Sequence, residues 1–203
     1  MKNCYNNFGD IMKTIKETIT HELIIKNSRF ITILFPLSNN NINSILNNVK
    51  EEYPKATHYC YAYIYGNEKG CSDDGEPSRT AGFPMLNVLE KEELNNILAV
   101  TIRYFGGIKL GAGGLVRAYT KSITESLKEI ELLELTEGYK IEIEFPYSEE
   151  KQINYLLGNS TIINKEYKEN TIYTVLIEKD LLNKLSNYTY SIIEECYIKK
   201  DSH

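Results

Sequence analysis

An α+β protein of two domains is what the sequence predicts, and three observations lead there. The 203 residues suffice for two cores, each able to bury its own apolar side chains. In the first part an unbroken apolar run at 97–105, of the kind buried on both faces of a sheet, precedes a helical periodicity. After Glu137-Gly138 the pattern changes to a compact β-α-β-β-α-β order, the ferredoxin-like split β-α-β arrangement. The expected division is an extension at 1–11, a larger domain at 12–136 and a small ferredoxin-like domain at 137–203.

Element by element, β-branched and alternating residues predict strands at 16–25 and 29–37, the second closed by Pro36. Ser38 can cap a helix at 41–53 whose apolar face carries Ile42, Ile45, Leu46 and Val49, and Pro54 stops it. A strand at 57–65 and a loop at 66–79 follow. Phe83, Met85, Leu86, Val88 and Leu89 point to a short helix within 80–94. After the strand at 97–105, the glycine loop 106–114 leads into a helix at 115–133, with Leu115, Tyr119, Ile123, Leu127 and Ile130 on one face. The second domain is expected to have strands at 139–145, 161–167, 171–178 and 191–198 and helices at 148–157 and 180–190.

Composition excludes several functional classes. Hydrophobic content of 42% and charged content of 25% are those of an ordinary globular chain. The longest apolar runs fall well short of the ~20 residues of a membrane span, and the N-terminus has no signal-peptide core, so a cytoplasmic protein with no membrane partner is expected. Cys4, Cys60, Cys71 and Cys196 form no C-x-x-C pair, and His21, His58 and His203 are the only histidines. That pattern argues against a metal site and implies no cofactor. Cys60 lies within an apolar strand and reads as core rather than nucleophile.

Charge is uneven. The net charge is −5, yet residues 1–124 carry 14 Lys/Arg against 12 Asp/Glu, and residues 125–203 carry 9 against 16. Within 99–124 stand Arg103, Lys109, Arg117 and Lys121 and no acid. This asymmetry points to a local anion-binding face on an acidic protein, unlike the overall basicity of strong nucleic-acid binders. Nine of the twelve glycines fall between Gly66 and Gly114, where backbone can approach a ligand or take a positive φ.

Two loops carry that concentration. The first, Gly106, Gly107, Gly111, Gly113 and Gly114, joins a strand to a helix. It matches neither a Walker A loop, lacking Lys-Ser/Thr, nor a dinucleotide fingerprint. It is either a tight turn beside a solvated helix face or a phosphate or carboxylate site flanked by Lys109, Arg117 and Lys121. The second holds Asp73, Asp74, Gly75, Glu76, Arg79, Thr80 and Gly82. Its acids could ligate a hard cation, but a turn ordered by pairing with Arg79 or Arg103 is the preferred reading. In the strand 58–65, Tyr59, Tyr61, Tyr63 and Tyr65 share one face, either a base-stacking platform or, preferred, a surface packed on a helix. His58 could move a proton, but no adjacent Ser or Cys supports nucleophilic catalysis, so an enzyme is disfavoured.

Three blocks, Ala56-Thr57-His58-Tyr59-Cys60-Tyr61-Ala62-Tyr63, residues 72–82, and residues 103–119 beginning Arg103-Tyr104-Phe105-Gly106-Gly107, resemble the signature segments of the IMPACT/YigZ family. Ser28-Arg29-Phe30 and residues 138–200 extend the resemblance over nearly the whole chain. Arg79 stands where that family usually has a small residue, and residues 1–11 precede its usual start. The resemblance implies an N-terminal domain with the fold of the second domain of ribosomal protein S-five, then a ferredoxin-like domain, a pair similar to domains IV and V of elongation factor G. It implies a bacterial-type member, associated with translation and with the ribosome or structured RNA. Eukaryotic relatives regulate translation through an extra N-terminal domain that binds a kinase activator. A chain of this length leaves no room for that domain. A small-molecule enzyme or sensor, with a phosphorylated ligand between the two loops, and an adaptor whose acidic C-terminal domain meets a protein partner are the competing expectations.

Overall fold

The computed structural model describes residues 12–128 and 130–200. The expected extension 1–11, with Cys4, and His203 lie outside the described residues. The chain divides into two units, one ending at Leu133 and one starting at Glu134.

The first unit is built on an antiparallel sheet of β2 (Ile19–Ile25), β3 (Ser28–Pro36), β4 (His58–Tyr65), β5 (Glu68–Ser72) and β6 (Ile97–Tyr104), in the order β2-β3-β6-β4-β5. A short β1 (Lys13–Ile15) runs beside the segment around Leu94, with a parallel bridge from Lys13 to Leu94. Central β6 is buried along nearly its whole length because both faces of the sheet are covered. On one face, Ile31, Ile33, Leu98, Val100 and Ile102 pack with Val49 of α1 (Ile42–Glu52). On the other, Phe30, Leu34, Cys60, Ala62 and Ala99 pack with Met85 and Leu89 of α2 (Gly82–Lys91) and Tyr119 and Ile123 of α3 (Ala112–Ser126). Between the facing strands, the Thr32 and Thr101 hydroxyls satisfy each other at 2.9 Å.

Tyr59, Tyr61, Tyr63 and Tyr65 pack on the α1 side. Tyr59 donates to the Tyr53 carbonyl and Tyr65 to that of Ser38. The row is a sheet face under a helix.

Three local expectations differ from the structure. The segment 66–79 is not one loop, since β5 pairs with β4 from Tyr65↔Glu68 to Tyr61↔Ser72. Glu-Lys-Gly-Cys-Ser has little strand propensity, and backbone pairing to an available edge overrides it. Helix α3 starts earlier, at Ala112, and ends at Ser126, while Leu127 and Ile130 still pack on the core without being helical. Strand β6 ends at Tyr104, leaving Phe105 47% exposed rather than buried.

In the second unit β7 (Leu132–Phe145), α4 (Glu150–Leu157), β8 (Thr161–Tyr167), β9 (Thr171–Glu178) and β10 (Thr189–Lys199) follow in sequence. The strands lie in the order β10-β7-β9-β8, all antiparallel, as a split β-α-β arrangement requires. Ile141, Ile143, Phe145, Ile153, Tyr173, Val175 and Ile177 form its core, with Phe145 edge-on to Tyr173 at 5.0 Å. The helix expected at 180–190 is a 3₁₀ segment, Lys179–Leu185, that buries only Leu185. β10 begins at Thr189 and shortens the space for a full helix.

Gly106 fixes how the glycine loop leaves the sheet. A Cβ there would sit 2.0 Å from the Asn27 backbone carbon. Gly106→Ala is therefore expected to destabilise the protein by about 1–3 kcal/mol through overpacking, read as a lowered midpoint in denaturant unfolding.

Candidate functional site

Strand β6 and the loop 73–81 place the chemistry-bearing residues of the first unit. Arg103, last but one in β6, points to the α2/α3 side, and its guanidinium lies 5.4 Å from the Phe30 ring centroid and 5.5 Å from that of Phe105. Nη1 donates to Glu76 Oε1 at 2.5 Å, and Nη2 donates to Ser28 Oγ at 3.3 Å. The side chains of Arg103 and Glu76 are 6% and 3% exposed. The Tyr119 hydroxyl also donates to Glu76 Oε1, at 2.8 Å. Arg103 therefore corrects one expectation: it is not part of an exposed cationic face, because its charge is spent on a buried carboxylate.

The other acids of the loop also turn inward. Asp73 Oδ1 accepts from the backbone N–H groups of Ala81 and Gly82, and Oδ2 accepts from Arg79. Asp73 thus satisfies the open N–H groups at the start of α2, a capping role supplied from outside the helix. Asp74 Oδ2 accepts from Tyr59 N at 2.6 Å. Thr80 closes the turn by donating to the Pro77 carbonyl at 2.6 Å. Among the described residues no group of His, Cys, Asp and Glu is arranged to hold a metal ion.

His58 Nδ1 lies 2.8 Å from the Asp74 carbonyl, which can only accept, so this nitrogen carries the proton. Its Nε2 is 3.8 Å from Glu76 Oε2. Cys60 is fully buried, with Sγ 3.0 Å from the Asp73 carbonyl and 3.3 Å from the Tyr119 hydroxyl. Burial pushes the Cys60 thiol and the Tyr119 phenol well up from their ordinary ranges, which makes Cys60 an inert core thiol. Gly75 has φ +85° beside the His58 ring, and a Cβ at Gly82 would lie 2.6 Å from the Ser72 backbone. Arg79 adopts φ +61° and lays its guanidinium over the Phe83 ring at 3.7 Å.

The cations of the glycine loop and α3 behave differently. Lys109, Arg117 and Lys121 are exposed and form no close ion pair with a described residue; Glu125, one turn on from Lys121 and within reach of its charge, is paired with Lys128. Gly107 and Gly111 take positive φ with open space around them, and Gly113 faces only Arg117. Gly114 packs its backbone on Leu110. The N-cap of α3 is Gly111, which has no side chain to cap with, and its first turn holds no acid. Tyr104 does not join this face; it points to the α1 side and donates to the Pro54 carbonyl.

Sequence reasoning placed Tyr119 on an apolar helix face and Phe105 inside a buried strand. The role of the Tyr119 hydroxyl depends on Glu76, 43 residues away, and has no local signal. The exposure of Phe105 does have one, the Gly106-Gly107 pair that ends the strand.

Removing one partner of a buried ion pair strands the other charge. Glu76→Ala is expected to cost about 3–5 kcal/mol in denaturant unfolding. Glu76→Ala/Arg103→Met should cost less than the sum of its parts. Alkylation of the folded protein at neutral pH, mapped by peptide, should label exposed Cys71 and leave Cys60 untouched until unfolding.

The Impact N-terminal domain family matches residues 26–127. IMPACT family member YvyE of Bacillus subtilis is 40% identical over 181 residues, covering 86% of this chain and 83% of that protein. IMPACT family member YigZ of Escherichia coli is 38% identical over 152 residues, covering 71% and 74%. A crystal structure of a hypothetical protein superposes with a TM-score of 0.70 at 30% identity, over 92% of this chain and 99% of that one. On the matching domain and the extent of these similarities, the chain belongs to the IMPACT family, as a bacterial-type member.

Proposed function

We propose that the protein is a translation-associated regulatory module that binds the ribosome or structured RNA through the basic, glycine-rich face of its first unit. One observation carries this reading: Lys109, Arg117 and Lys121 stand exposed without an ion-pair partner among the described residues, in a stretch that contains no acid. On a chain of net charge −5, exposed cations concentrated on one segment, with Glu125 in electrostatic reach of Lys121, offer an anionic partner a local positive field. Open glycines beside them let a phosphate reach backbone N–H groups. Contacts of this kind position a nucleic acid without reading its sequence. Membership of the IMPACT family, for which the sequence resemblance implies association with translation, supports the choice of RNA over other polyanions.

The competing small-molecule reading relies on carboxylates facing the glycine loop. Asp73, Asp74 and Glu76 are already engaged in internal hydrogen bonds, and nothing in their arrangement favours it.

Co-sedimentation with bacterial ribosomes across a salt series tests the proposal. Wild type should bind at low salt and release as salt rises. Lys109→Ala/Arg117→Ala/Lys121→Ala should bind poorly, with the slope of log K against log salt reduced by about 0.7–0.9 per charge removed. Buried Arg103 is left intact, so the variant should melt within about 0.5 kcal/mol of wild type. Equal sedimentation of the two proteins would refute the proposal.

A further inference from the structure

The exposed apolar side chains of the first unit include a group at the glycine loop. Phe105 is 47% exposed, Ile108 45% and Val116 36%. In sequence Phe105 and Ile108 flank Gly106 and Gly107, Ile108 directly precedes Lys109, and Val116 directly precedes Arg117. Aromatic and aliphatic surface mixed with unpaired cations calls for a partner that is both anionic and apolar. Nucleotides with unpaired bases have that combination, phosphates in series and a π face on every base. A duplex buries those faces in its own stack, and an acidic peptide lacks them.

Phe105 is also held firmly. Its backbone N–H donates to Thr57 Oγ1 at 3.0 Å. Its ring lies 5.5 Å from the Arg103 guanidinium, which in turn lies against Phe30 and is fixed by Glu76. A ring supported by a cation that cannot move loses little freedom when a base stacks on it. The tyrosine row of β4 cannot serve in its place, because it is packed on the α1 side of the sheet.

We infer that Phe105 is a stacking platform for an unpaired RNA base, with Lys109 and Arg117 engaging the flanking phosphates. This rests on the RNA reading above and narrows it from RNA in general to unpaired strands or loops. The buried Glu76–Arg103 pair then positions the platform without touching RNA.

Fluorescence anisotropy with labelled single-stranded oligouridylate, an RNA duplex of equal length, and polyglutamate tests the inference. Wild type, Phe105→Ala, Phe105→Trp and Lys109→Ala/Arg117→Ala are compared, each with its thermal midpoint. Single strand should bind more tightly than duplex, and polyglutamate weakly. Phe105→Ala should lose about tenfold in affinity with its salt slope unchanged, whereas Phe105→Trp should retain affinity. The double charge variant should flatten the salt slope instead. Phe105→Ala binding as wild type does, Phe105→Trp losing affinity as alanine does, or duplex or polyglutamate binding as well as single strand overturns the inference. If RNA binding still depends on Lys109 and Arg117, the RNA reading survives such a result. No RNA binding by the wild type, with intact folding, overturns both.

Discussion

Glu76 and Arg103 lie 27 residues apart in sequence, and their contact ties the two glycine-rich segments into one structure. Taking both charges out of water costs several kcal/mol per ion, which their attraction offsets only with good geometry and further hydrogen bonds. Those are present: Tyr119 and Arg103 share Glu76 Oε1, and Ser28 Oγ accepts from Arg103 Nη2. Arg103 Nε remains buried without a hydrogen-bond partner among the described residues. A pair so enclosed contributes definition more than net stability. It holds the loop 73–81 against β6 and sets Phe105 at the surface where the strand ends.

The same pair divides the cations of residues 99–124 into two kinds. Arg103 is neutralised inside the protein, and its fork-shaped guanidinium suits a site that must hold a carboxylate and an aromatic ring together. Lys109, Arg117 and Lys121 keep their charge in water. The proposed RNA-binding face depends on the second kind, and its shape depends on the first. Affinity on such a surface arises from a few screened contacts, so ionic strength governs it.

Asp73 plays a parallel part on the other side of the loop. Its carboxylate accepts three backbone N–H groups, from Arg79, Ala81 and Gly82, across a turn where Asp74, Gly75 and Arg79 all have positive φ. Positive φ is unfavourable for an arginine by roughly 1–2 kcal/mol. The stacking of Arg79 on Phe83 offsets part of that cost.

The alternation of β4, the mostly apolar run of β6 and the four strands of the second unit were legible in the sequence, since each reflects a period of local backbone geometry. The concentration of glycines and the acid-free stretch singled out the segments on which the proposed function rests. Strand β5 was not legible: Glu68–Ser72 pairs through its backbone, and its side chains carry no strand pattern. Nor could the end of α3 be placed, because Leu127 and Ile130 continue the apolar spacing without continuing the helix. By itself the sequence determined most of the elements and the family, because periodicity and motif spacing are local; strand β5 and the 3₁₀ segment at Lys179–Leu185 were set by tertiary pairing and space. Only the tertiary structure decided which charges are available. Whether Arg103 faces solvent or Glu76 depends on how residues 27 positions apart are brought together, and no local pattern encodes that distance.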